Sequence, residues 1–143
     1  MNFKLPLIAA FVGALSLSAC GGGSNSSTPT TSVSSPASLV INDITVGTGA
    51  TVTASSSVTI NYTISLYKAD AANFTGTQIE TGPYSFTVGV NTIAGVSAGI
   101  VGMKVGGRRV LLIPASQAYG SAGSGAIPPN SGVVFDMTLV SAK

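Results

Sequence analysis

An alternation of apolar and polar residues over Val58–Leu66 constrains the fold of this chain more than any other feature. The segment reads VTINYTISL, and every second side chain is apolar: Val58, Ile60, Tyr62, Ile64 and Leu66. Because successive side chains of a strand point to opposite faces of a sheet, this period predicts a strand with one buried face. The chain must therefore build a sheet and something that covers one side of it.

Four further segments are predicted to be strands, with two loops among them. The strands are Leu39–Val46, Tyr84–Val88, Arg109–Ile113 and Val133–Val140. The polar stretch Lys68–Gly82 predicts a loop. The Gly- and Pro-rich stretch Tyr119–Gly132 predicts a second, long loop, and loops of that length in a compact domain often carry function.

One short helix is predicted after the Tyr84–Val88 strand. Apolar side chains recur at spacings of three and four, which places them on one helical face: Ile93, Val96, Ile100 and Met103. Asn91 or Thr92 is expected to cap its start. Three glycines make the helix intrinsically weak, so tertiary packing must hold it in place: Gly95, Gly99 and Gly102.

Composition excludes several classes of chemistry. The chain has one cysteine and no histidine, so it lacks the partners for an internal disulfide, a Cys/His metal site or a histidine-activated nucleophile. Six basic residues and a net charge of +2 do not make the basic face that nucleic-acid binding requires. We expect no metal, no cofactor and no nucleic-acid partner.

The N-terminal residues are typical of an export signal. Lys4 precedes the mostly apolar run Leu5–Leu17, which is shorter than the ~20 apolar residues of a membrane-spanning helix. The residues Leu17-Ser18-Ala19-Cys20 resemble the bacterial lipobox, which implies cleavage before Cys20 and its lipidation. The alternative is an ordinary secretory signal with an accidental cysteine. Gly21, in place of aspartate, resembles the outer-membrane pattern of Gram-negative lipoproteins.

Three regions follow from these features. Residues 1–19 are predicted to be the lipoprotein signal peptide. Residues 20–38 are predicted to be the lipidated cysteine and a flexible tether rich in Gly, Ser and Thr, since GGGSNSSTPTTSVSSPAS has almost nothing to bury. Residues 39–143 are predicted to form one folded domain.

Residues 102–139 resemble the C-terminal half of FKBP-type peptidyl-prolyl isomerases. The likeness rests on ordered motifs, GMKVGGRR at 102–109, IP at 113–114, AYG at 118–120, IPP at 127–129 and VFD at 134–136. Upstream, residues 58–62 and 83–89 are similar more loosely, so the resemblance covers most of 40–143. It implies an α+β fold, an antiparallel sheet of five or six strands wrapped around one short α-helix, with a ligand pocket between them.

The family's reaction suits a chain without acid–base equipment. Rotation about an X-Pro bond is opposed by amide resonance, with a barrier of ~18–20 kcal/mol. A dry pocket that grips the proline ring and favours the twisted amide lowers this barrier without a nucleophile or a metal.

Carried over by position, the resemblance assigns pocket residues. Those implied to be catalytic are Tyr62, Tyr119 and Phe135, and those implied to bind substrate are Ile79, Glu80, Tyr84, Thr92, Ile93, Val96 and Ile127. Each tyrosine, and Phe135, also has a structural interpretation as a packed core aromatic. Glu80 is alternatively a solvated loop charge, and Ile127 with the two prolines that follow it alternatively stiffens its loop.

The chain departs from the family at the pocket. The family's floor tryptophan aligns with Val96, which implies a deeper pocket or one filled by neighbours. Ile79-Glu80 stands where the family has Phe-Asp, and Ala126 replaces an isoleucine. These changes predict weaker activity or an altered preference for the residue before proline.

Three functions are compatible with the sequence. The first is a lipid-anchored prolyl isomerase that acts on proline-containing segments of exported polypeptides, held to the envelope through Cys20 and facing the periplasm from the outer membrane. The second is a non-catalytic chaperone that binds proline-containing segments. The third is a structural envelope lipoprotein.

Overall fold

The computed structural model describes residues 34–143, and the predictions for the signal peptide and Cys20 lie outside them. The strands are β1 (Val40–Thr45), β2 (Ser57–Tyr67), β3 (Thr75–Thr87), β4 (Arg108–Ile113) and β5 (Val133–Ala142), and the helix α1 is Ala94–Ile100. Short 3-10 turns cover Ala72–Phe74 and Ala115–Gln117. No helix within residues 34–143 is long and apolar enough to cross a membrane.

The strands form one antiparallel sheet in the order β1-β4-β5-β2-β3. The C-terminal strand β5 is therefore the middle strand, flanked by β4 and β2, while β1 and β3 form the two edges. With α1 against β4, this confirms the predicted α+β class and the sheet of five strands with one short helix.

The core lies on the sheet face that α1 covers. On β2 the alternation predicted from the sequence is present, with Val58, Ile60 and Ile64 buried. They pack with buried side chains from β4, β5 and the helix, which are Leu111, Ile113, Val133, Met137, Leu139, Val96 and Ile100. Burial of these apolar groups is the main force that holds the sheet to the helix.

Part of the predicted Lys68–Gly82 loop is strand. Residues 75–82 belong to β3, which pairs with β2 and leaves 68–74 as the hairpin tip. Because β3 is an edge strand exposed on most of its length, its residues lack the apolar alternation that marks a half-buried strand. A β-bulge interrupts the pairing, since Ile64 faces Glu80 while Ser65 faces Gln78, which leaves Ile79 as the extra residue.

The helix is held by close approach to β4, as its glycine content predicted. A Cβ atom at Gly95 would meet Ile113 Cγ2, and one at Gly99 would lie 2.5 Å from Leu111 Cδ1. Only glycine permits so short a distance between α1 and the side chains of β4. The close packing is therefore accompanied by the low helix propensity of glycine, which destabilises α1. The predicted cap was wrong. Ile93 is the N-cap and makes no side-chain capping bond.

Arg109 joins β1 to the end of the helix. Its side chain is buried and donates to both carboxylate oxygens of Asp43 on β1. It also donates to the carbonyl oxygen of Gly99 at 2.6 Å and that of Val101 at 3.3 Å. The last carbonyls of a helix have no intrahelical partner, so Arg109 satisfies groups that would otherwise be orphaned.

The residues just ahead of β1 contact the domain. Gly132 N donates to Ser34 O at 3.0 Å, and Ala115 N donates to Ser35 Oγ at 3.0 Å. These bonds tie residues assigned to the end of the tether to the loop before β5. The domain boundary at residue 39 stays a prediction.

Candidate functional site

A cavity of about 500 Å³ opens between the start of α1 and the sheet. Its volume falls in the range of small-ligand pockets, about 300–1,000 Å³. Strands β2, β3 and β5, the turn before α1 and the loop after β4 all contribute to it. The lining residues are Tyr62, Ile64, Glu80, Tyr84, Asn91, Thr92, Ile93, Tyr119 and Phe135.

Three aromatic rings form one wall of the cavity. Tyr62 and Phe135 stack with centroids 5.1 Å apart, and Tyr84 meets Tyr62 edge-on at 6.1 Å. The strand register explains this contact. Ile64 pairs with Phe135 across the β2–β5 ladder. Tyr62 lies two residues earlier on the same face of β2, which makes it the diagonal neighbour of Phe135. The wall is therefore built on strands rather than on loops.

The cavity raises the pKa of two of its tyrosines, Tyr62 and Tyr119. Burial, hydrogen bonding to Glu80 and the charge of Glu80 raise the pKa of Tyr62 to about 12. Burial, then the charge of Glu80 and the proximity of Tyr84, raises the pKa of Tyr119. At neutral pH both are phenols that can donate a hydrogen bond.

Several hydrogen-bond donors at the cavity are available to a ligand, among them the Tyr119 hydroxyl and the Ile93 N–H. The Tyr84 hydroxyl donates to Asn91 O at 3.0 Å. By contrast, the Tyr119 hydroxyl and the backbone N–H of Ile93 donate to no group among residues 34–143. Tyr119 is itself held in place, because its carbonyl accepts a bond from Gly123 N at 3.1 Å.

The structure brings together seven of the ten pocket residues that the resemblance implied, and these are Tyr62, Glu80, Tyr84, Thr92, Ile93, Tyr119 and Phe135. The other three lie outside the lining. Val96 and Ile127 are 1% and 5% exposed and belong to the core, and Ile79 is half-buried against it. The sequence left two outcomes open at Val96, a deeper pocket or a space filled by neighbouring side chains. The structure has the second outcome.

Sequence reasoning missed two lining residues. Ile64 follows Tyr62 by two positions on the same strand face, so the period-two pattern was a usable signal for it. For Asn91 the sequence indicates only a possible helix cap. It adopts φ 56° in the turn before α1, where its carbonyl accepts the Tyr84 hydroxyl. Asparagine tolerates this left-handed conformation better than most residues.

Sequence comparisons identify the relatives of this domain. Residues 49–140 match the family model of the FKBP-type peptidyl-prolyl cis-trans isomerase. The chain is 38% identical over 108 residues to the FK506-binding protein of Streptomyces anulatus, which covers 73% of this chain and 86% of that protein. It is 39% identical over 120 residues to FK506-binding protein 4 of Gibberella zeae, which covers 82% of this chain and 23% of that protein.

Solved structures of similar fold point to the same family. The crystal structure of FkpA from Escherichia coli has a TM-score of 0.64 at 33% identity, over 78% of this chain and 51% of that one. A peptidyl-prolyl cis-trans isomerase of Pseudomonas syringae has a TM-score of 0.63 at 28% identity, over 73% and 75%. The chain spans between 23% and 50% of the relatives from Gibberella zeae, Dictyostelium discoideum and Arabidopsis thaliana. The chain belongs to the FKBP-type peptidyl-prolyl cis-trans isomerase family.

Proposed function

We propose that this domain accelerates cis-trans rotation of X-Pro bonds in polypeptides that enter the cavity. The observation that carries the proposal is the coexistence of an aromatic wall with the Tyr119 hydroxyl and the Ile93 N–H, two hydrogen-bond donors that have no acceptor within residues 34–143. The aromatic wall can pack against a proline ring, and the two donors can bind carbonyl oxygens of a peptide backbone. Family membership supports the same reaction.

The mechanism follows from the chemistry of the bond. A planar amide is more polar than a twisted one, because twisting removes the resonance that charges its oxygen and nitrogen. Moving the bond from water to the wall of Tyr62 and Phe135 therefore disfavours the planar form relative to the twisted one. Donation from Tyr119 and Ile93 to substrate carbonyls holds the flanking chain while the bond rotates. No step needs a covalent intermediate or a proton transfer.

An exchange assay tests this function. NMR exchange spectroscopy on a proline peptide, with the purified protein in catalytic amounts, should show accelerated cis-trans interconversion. The spontaneous interconversion takes tens to hundreds of seconds. Unchanged interconversion would refute catalysis. Chemical-shift changes in the peptide without acceleration would instead support the second candidate, a non-catalytic chaperone for proline-containing segments. That candidate draws on the buried Val96, which supplies no aromatic floor to the cavity.

We infer further that the domain works from a membrane surface in the bacterial cell envelope. The support is the order of features at the N-terminus, with a basic residue, an apolar run and Leu17-Ser18-Ala19-Cys20. Several acyl chains on Cys20 would hold the protein far more firmly than the marginal binding of a single chain. Gly21 favours the outer membrane, with the domain facing the periplasm, where exported polypeptides are the clients.

Anchoring can be tested apart from catalysis. In a Gram-negative host, the full chain should fractionate with outer membranes, and mass spectrometry should find an acylated N-terminal cysteine. Cys20→Ser should remove the acyl modification and move the protein out of the outer-membrane fraction. An unmodified cysteine in a fully soluble protein would overturn the anchoring proposal and leave the isomerase proposal intact.

A further inference from the structure

Among residues 34–143, Glu80 is the one acidic side chain without a cationic partner. The chain has four acidic residues, all within 34–143. Asp43 is paired with Arg109, Asp136 with Arg108 at 2.7 Å, and Asp70 with Lys68 at 4.0 Å. No Lys or Arg nitrogen of residues 34–143 lies within 4.0 Å of the Glu80 carboxylate.

Glu80 is also the only charged residue in the cavity lining. The other lining side chains are aromatic, aliphatic or neutral polar. Glu80 is exposed and belongs to the edge strand β3, next to the bulge at Ile79. It therefore places one negative charge, next to the Tyr62 hydroxyl but without a cationic partner in residues 34–143, where the cavity meets solvent at the border of the sheet.

A polypeptide that seats a proline ring in this cavity must pass close to that charge. Adjacent Cα atoms are 3.80 Å apart across a trans peptide, so a residue next to the proline cannot lie far from the rim. A lysine or arginine there has a long flexible stem that can bring its charge to Glu80, whereas a glutamate would be repelled.

We propose that Glu80 makes this site select prolines flanked by a basic residue. The proposal rests on the isomerase function proposed above and adds its substrate class. Attraction between exposed charges is modest, so the expected preference is about two- to five-fold at low ionic strength. Salt screens exposed charges, so the preference should shrink as ionic strength rises.

A peptide series measures this preference. Peptides with lysine, norleucine or glutamate before the proline, and a second series with the same residues after it, are compared by NMR exchange spectroscopy. This method needs no coupling protease with a charge preference of its own. Norleucine keeps the length of lysine without the charge, so kcat/KM should fall in the order lysine, norleucine, glutamate in at least one series.

Three variants assign the preference to Glu80. Glu80→Gln should bring the lysine-to-norleucine ratio to about one, whatever it does to the absolute rate. Glu80→Asp keeps the charge and should keep a ratio above one. Asp70→Asn is the matched control, because it removes the same charge from the hairpin tip, outside the cavity lining, and should leave the ratio unchanged.

The outcomes separate the two proposals. Acceleration of the norleucine peptide with equal rates for all three residues in both series overturns the charge preference alone. A preference that survives Glu80→Gln overturns it too. If no peptide is accelerated, the isomerase proposal fails, and NMR titration of the same peptides decides the preference, with equal affinities counting against it.

Discussion

Tyr62 lies flat against Phe135, with ring planes 7° apart and centroids separated by 5.1 Å. Phe135 is 6% exposed, yet it belongs to the cavity lining. The same ring is therefore part of the core and part of the wall, and its catalytic role stays a prediction. Each ring comes from a different strand, so the β2–β5 pairing positions the two rings against each other.

Tyr119→Phe should lower kcat/KM for a proline peptide by about two- to ten-fold. It removes a hydroxyl that has no acceptor within residues 34–143, and a hydrogen bond is worth ~0.5–1.5 kcal/mol. Thermal unfolding should be unaffected, since no bond within the described domain is lost. Tyr67→Phe, on a ring that stacks with Phe74 outside the cavity, is the control and should keep full activity. Equal activity of both variants would remove the role given to Tyr119.

Stability should fall as pH rises from 10 to 12. Burial and the neighbouring Glu80 raise the pKa of Tyr62 from the ordinary 10.0 to about 12 in the folded chain. Between pH 10 and pH 12 Tyr62 loses its proton in the unfolded state and keeps it in the folded state. The contribution of Tyr62 to the free energy of unfolding is therefore complete below pH 10 and is lost as pH approaches 12. Tyr62→Phe should make the melting temperature less dependent on pH there. An identical pH dependence in the variant would contradict this.

Asp43→Asn should lower the free energy of unfolding by about 2 kcal/mol. The substitution leaves the Arg109 side chain, which is only 10% exposed, without its charged partner. The cost is moderate because Asp43 is 43% exposed, so water already weakens the attraction between the two charges. Asp136→Asn is the matched control in the more exposed pair with Arg108, and it should cost less than about 1 kcal/mol. Urea unfolding of both variants checks the order. Equal costs would mean that the Arg109 contacts to α1 suffice.

Gly95→Ala should destabilise the domain by about 1–3 kcal/mol through overpacking. Helix propensity alone predicts the opposite sign, a gain of about 1 kcal/mol. The reason for the difference is Ile113, whose Cγ2 occupies the space of the added methyl group. Ile113→Ala should remove most of that penalty in a double-mutant cycle followed by denaturant unfolding. A stabilised single variant would show that α1 moves away from β4 freely.

The strands and the helix were predictable wherever one face is buried. The alternation in β2 and the spacing of Val96 and Ile100 each arise from a single covered face, and the structure shows both. Residues 75–82 carried no such pattern because an edge strand in solvent buries little on either side. Strand order was not predictable, because it depends on contacts between residues distant in sequence.

The candidate site was predictable to the extent that position in a motif determines side-chain direction. Tyr119 and Phe135 fall in ordered motifs and line the cavity as expected. Val96 and Ile127 also fall in matched positions, yet side-chain packing places both in the core. Volume compensation between neighbours decides such cases, and a single sequence does not display it.

The middle strand of the sheet, β5, comes after the other four strands in the sequence. It bridges β4 and β2, so without it the sheet divides into two separate pairs, the β2–β3 hairpin and the β1–β4 pair. During synthesis from the N-terminus, this sheet therefore cannot be completed before β5 is available. Loss of a few residues of β5 should be as damaging as a deletion in the centre of the domain.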